Sequence, residues 1–99
     1  MREWFPIWIA ELQIEIAIEE KIRRKHQITT KEIRWSFIGN QYLISKRTPN
    51  FNQYRRLQVV DSREKLPRVM LIVEEVNRTY SSLRLINAIR TSNSKLAGR

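Results

Sequence analysis

The chain has 99 residues, 41% hydrophobic and 29% charged, with 19 Lys and Arg against ten Asp and Glu for a net charge of +9. That length suits one domain around one core, and the balance of apolar to charged residues excludes a disordered chain. Without a cysteine, neither a disulfide framework nor a thiolate metal site can form.

The cations are unevenly spread. Residues 1–20 hold one basic and five acidic side chains, and the remaining 79 hold eighteen basic and five acidic. Thirteen of the nineteen cations are Arg, whose planar fork grips a phosphate with two hydrogen bonds. A field of this sign draws polyanions, so RNA or another nucleic acid is the expected partner. The other readings are an acidic protein surface as the docked partner, or a merely solubilising surface, although +9 slightly exceeds the usual ~2–8 for a small domain. No apolar run approaches the roughly 20 residues of a membrane span, and the opening Met1-Arg2-Glu3-Trp4 lacks the apolar block of a secretory signal. A soluble cytoplasmic protein with no membrane contact is expected.

In chain order, Ile7–Leu12 reads as a first strand. A helix follows over about Glu15–His26, where Ile14, Ile18 and Ile22 recur every four residues. Glu15, Glu19 and Glu20 towards its start and Arg23, Arg24 and Lys25 at its end suit the helix macrodipole. Glu19–Arg23 and Glu20–Arg24 have the i,i+4 spacing of helix ion pairs. Thr29-Thr30-Lys31-Glu32 has the form of a capping box, with Ile28 and Ile33 at the spacing of a hydrophobic staple. A second helix is predicted from Thr30 to Phe37, ended by Gly39-Asn40.

Tyr42-Leu43-Ile44 reads as a short strand and Thr48-Pro49-Asn50 as a turn. Three further strands are expected over Tyr54–Val60, Arg68–Val76 and Tyr80–Ile89. The middle one is apolar enough to be central and buried on both faces. The links Asp61–Pro67 and Asn77–Thr79 are short enough for hairpins. The predicted fold is α+β: two short N-terminal helices on a four-stranded, mainly antiparallel sheet, forming one domain over 1–91. The polar stretch 92–99 reads as a disordered tail or the remnant of a lost final helix.

Two glycines cannot build a phosphate loop, and a lone His without Cys argues against zinc; no cofactor or metal is expected. The remaining chemistry is RNA cleavage without a metal. The ribose 2′-OH is then the nucleophile, and the protein supplies a base, an acid and cations for the charged phosphorane. His26 is the candidate acid or base because imidazole titrates near neutrality; its alternative role is to cap the helix or pack on the sheet. Lys21, Arg23, Arg24 and Lys25 form a candidate phosphate-binding cluster, with a solvated helix end as the alternative. Arg55 and Arg56 point to opposite faces of their strand, so at most one reaches a given site, and Arg84 projects away from Leu83 and Leu85. Trp4, Trp8 and Trp35 read as core or interface before base-stacking platforms.

Two segments carry a family pattern. Ile22-Arg23-Arg24-Lys25-His26 followed by Ile28-Thr29-Thr30-Lys31-Glu32-Ile33 resembles the helix–turn–helix opening of BrnT-type toxins, where a Lys-His-Gly turn leads into a second short helix. Leu83-Arg84-Leu85-Ile86-Asn87-Ala88-Ile89-Arg90-Thr91 looks like that family's last strand. The resemblance implies a RelE-like fold, a metal-independent ribonuclease toxin and a ribbon-helix-helix antitoxin as partner. It assigns Lys25 and His26 to the catalytic Lys-His motif, Arg84 to the strand Arg and Arg90 to the following cation. Gln27 stands in place of the family's Gly, and Ile89 in place of an Arg.

Overall fold

A computed structural model describes residues 4–47, 56–64, 68–76 and 79–91. The elements run β1 (Phe5–Pro6), β2 (Glu11–Gln13), α1 (Ile16–His26), α2 (Thr30–Phe37), β3 (Leu43–Arg47), β4 (Arg56–Asp61), β5 (Arg68–Val76) and β6 (Thr79–Thr91). The expected turn at residues 48–50, Tyr54, Arg55 and the tail 92–99 lie outside the described residues.

The predicted α+β class stands, but among the described residues the sheet has six strands rather than four, in the order β1-β3-β4-β5-β6-β2. The expected single strand at Ile7–Leu12 is divided. β1 pairs antiparallel with β3 on one edge, and β2 pairs parallel with β6 on the other. Buried Ile7 and Ile9 lie between the two short strands, so this stretch spends its apolar residues on the core instead of on a ladder. The meander β3-β4-β5-β6 is antiparallel throughout.

Both helices form where their local signals lie. α1 buries Ile22, and α2 buries Ile33 and Phe37, against Leu57, Val59, Leu71, Val73, Leu83, Leu85 and Ala88 of the sheet. Each such large aliphatic or aromatic side chain contributes roughly 1.5–3 kcal/mol on leaving water. Thr29 caps α2 by accepting a hydrogen bond from the Glu32 amide at 3.1 Å. Gly39 takes φ +70 past the helix end and donates its amide to the Ile9 carbonyl at 3.0 Å, tying the α2–β3 turn to the N-terminal segment. β5 is less symmetric than its sequence implies. Val69, Met70, Leu71 and Val73 are buried, whereas Ile72 and Glu74 stay half-exposed on the face without helices.

Candidate nucleic-acid interface

The C-terminal half of α1 carries the predicted cation cluster, with Arg23, Arg24 and Lys25 in the last turn. Ile18, Ile22 and His26 fall four apart on one side of the helix, with Ile22 buried and the other two half-buried. His26 therefore ends the stripe that packs on the sheet. Arg23, Arg24 and Lys25 are exposed and Lys21 is half-buried. The expected Glu19–Arg23 and Glu20–Arg24 ion pairs do not form among the described residues; the Glu19 carboxylate instead accepts from the Thr30 hydroxyl at 3.0 Å. That contact bridges the two helices and leaves the cations facing water. Their location at a helix C-terminus is favourable in itself, because the last carbonyls carry partial negative charge.

The four predicted catalytic residues do not converge. Arg90 does reach the end of α1: its Nη2 donates to the Gln27 carbonyl at 3.3 Å and to the Glu32 carboxylate at 3.1 Å and 3.2 Å. Glu32 thus spends its carboxylate on Arg90 rather than closing the capping box. Arg84 faces the other way. Leu83, Leu85 and Ala88 are all buried in the core, and a bulge between the pairs Ile72↔Asn87 and Val73↔Leu85 shifts the alternation between them. Arg84 consequently lies on the helix-free face, 3.7 Å from Glu74, in one cross-strand row with Glu74 and Arg56. It is six residues from Arg90, roughly 20 Å along the strand, and on the opposite face. Lys25, His26 and Arg90 share one end of the molecule; Arg84 and Arg56 belong to another surface. Arg55 lies outside the described residues.

A second feature stands at the far end of α2. Trp8, Trp35 and Tyr42 are 51%, 88% and 42% exposed, and they line one open cleft of about 620 Å³ with Gly39, Asn40, Asp61, Arg63 and Glu64. Its polar wall is tightly organised. Asp61, buried at the end of β4, accepts from Arg63 Nε at 3.1 Å and Nη2 at 2.8 Å, from the Arg63 amide at 2.8 Å and from Asn40 Nδ2 at 2.7 Å. The hydrogen bonds from Arg63, with that from Asn40 added, outweigh burial and hold the Asp61 carboxyl down at about 2, from an ordinary 3.8. The same Arg63 guanidinium lies 4.0 Å from the centroid of the Tyr42 ring, a cation–π stack. Asn40 also donates to the Ser36 carbonyl at 2.8 Å and accepts from the Tyr42 amide at 2.7 Å.

Of the two roles expected for the tryptophans, core or interface, a core position is excluded for Trp35 and Trp8 by their exposure. Helix geometry held the signal: with Ile33 and Phe37 inward, residue 35 lies about 200° round from residue 33 and must face outward. Trp4, half-buried, lies 5.4 Å from the Lys46 ammonium instead. Among the described residues no group of three or more His, Asp or Glu is placed to hold a metal, and no helix is long and apolar enough to cross a membrane. No protein-family model matches the chain, and neither a curated protein nor a solved structure matches it.

Proposed function

We propose that this protein binds RNA, or another nucleic acid, through the cation cluster at the C-terminal end of α1. The observation that carries the reading is that Lys21, Arg23, Arg24 and Lys25 fall within five residues of one helix, on a +9 chain, with no ion pair to any of them among the described residues. Cations left unpaired at a surface are free to displace counterions from phosphates. The test is a titration of labelled RNA in EDTA. An Arg24→Ala, Lys25→Ala double variant is expected to bind roughly 10-fold more weakly at low salt, with the RNA recovered intact. Unchanged affinity would move the cluster to the role of a solvated helix end.

The contact of Arg90 with the Gln27 carbonyl, next in the chain to Lys25 and His26, supports a second reading, a RelE-like, BrnT-type ribonuclease toxin with a ribbon-helix-helix antitoxin. In that reading His26 takes the 2′-OH proton as the 2′-oxygen attacks phosphorus. Lys25 gives a proton to the departing 5′-oxygen as the P–O5′ bond breaks, and Arg90 holds the phosphate. Arg84 has no part in it, and Arg90 must exchange Glu32 for the substrate. Formation of a 2′,3′-cyclic phosphate in the same EDTA incubation, lost in His26→Ala, would put this reading first.

A further inference from the structure

The aromatic cleft is the feature that RNA binding by α1 leaves unexplained. Trp35 is almost wholly in water on the outward side of α2, and Trp8 and Tyr42 join it from two other segments. Scattered exposed aromatics are ordinary on a protein surface; three lining one cleft beside an arginine are not. The guanidinium is itself fixed by both oxygens of a buried carboxylate, so it is presented as a flat cation stacked on Tyr42. Planar π faces and a stacked guanidinium are the chemistry that holds an unpaired nucleobase. Bases inside a duplex present no free face to such a cleft.

We infer that the Trp8–Trp35–Tyr42–Arg63 cleft receives an unpaired base of a single-stranded nucleic acid whose backbone continues to the α1 cations. The inference rests on the proposed binding role of α1 and extends it to a substrate class, the single strand. The layout supports it. The cluster and the cleft flank α2, whose eight residues span about 12 Å, and exposed Lys31 and Arg34 lie on that helix between them. Arg34 Nη1 is bonded to the Leu12 carbonyl at 3.0 Å, which holds its guanidinium beside Trp35. Of the two carboxylates on the cleft, Asp61 is neutralised by Arg63, while Glu64 remains on the rim and selects against a bare phosphate at that point. A ring enters; its phosphate stays on the cationic side.

The experiment compares oligouridine with a duplex RNA of equal length, by fluorescence anisotropy, for wild type, Trp35→Ala, Trp35→Phe and the Arg24→Ala, Lys25→Ala variant. Trp35 is nearly fully exposed, so its replacement leaves the core untouched. Trp35→Ala is expected to lose roughly 5- to 150-fold in affinity for oligouridine, the range for one aromatic–base stack. Its duplex affinity should stay unchanged, and Trp35→Phe should recover most of the loss. If Trp35→Ala binds oligouridine like wild type while the α1 variant is weakened, the cleft inference is overturned and the α1 reading stands. The reverse pattern keeps a base in the cleft but removes the α1 reading, and with it the continuation of the strand to the α1 cations. Equal loss on oligouridine and duplex would also overturn it, because base stacking discriminates between the two.

Discussion

Asp61 shows how one side chain organises the cleft. It is a buried carboxylate that gathers Arg63, Asn40 and a backbone amide. Asp61→Ala would leave the Arg63 amide and the Asn40 side chain short of an acceptor. Leaving such buried or part-buried groups unsatisfied typically costs about 1–3 kcal/mol, measurable by urea unfolding at pH 7. The pH dependence follows from the depressed pKa. The unfolded chain protonates this carboxyl near 3.8 and the folded protein only near 2. The contribution is therefore complete above about pH 4 and disappears as pH falls through 2. The stability gap between wild type and Asp61→Ala should narrow over that window and stay constant from pH 5 to 8. A gap that persisted at pH 2 would mean that Asp61 acts through packing and not through its charge.

At the scale of elements, the α1–α2 corner is the part most legible in the sequence. Its signals are local: Thr29 three residues before Glu32, isoleucines four apart, Gly39-Asn40 at the exit. The edge strands β1 and β2 were not legible, because two- and three-residue strands carry almost no periodicity and owe their existence to distant partners in β3 and β6. The separation of Arg84 from Arg90 was hidden for a related reason. Simple alternation places both on one face, and only the bulge at Ile86, created by pairing with β5, turns Arg90 towards the helices. The cleft was hidden because its aromatics come from three segments. The corner also holds a local conflict. Gln27 caps α1 in the left-handed region at φ 53, with its amide bonded to the Arg23 carbonyl at 3.0 Å. A side chain there costs roughly 1–2 kcal/mol that glycine avoids, partly offset by glycine's greater unfolded-state freedom. Gln27→Gly is expected to stabilise the protein by about 0.5–1 kcal/mol, seen as a higher urea midpoint at unchanged slope.

On the scale of the whole molecule, charge and aromatic surface are divided between the two ends of α2, and this division makes their contributions separable by salt. Binding through cations releases counterions, so for a single strand log K falls with log salt at a slope of about −0.7 per neutralised phosphate. If Lys21, Arg23, Arg24 and Lys25 each neutralise one, the slope is about −3, and affinity for oligouridine drops roughly 50-fold between 50 and 200 mM salt. A stacked base releases no condensed counterion. Trp35→Ala should therefore lower affinity by the same factor at every salt concentration, giving a parallel line on the log–log plot. The Arg24→Ala, Lys25→Ala variant should instead flatten the slope by about 1.4 and converge on wild type at high salt. The two lines test the architecture itself, because they hold only if the α1 cations and the cleft engage one strand by different physics. A Trp35→Ala line of shallower slope would mean that the cleft contacts phosphate and not base.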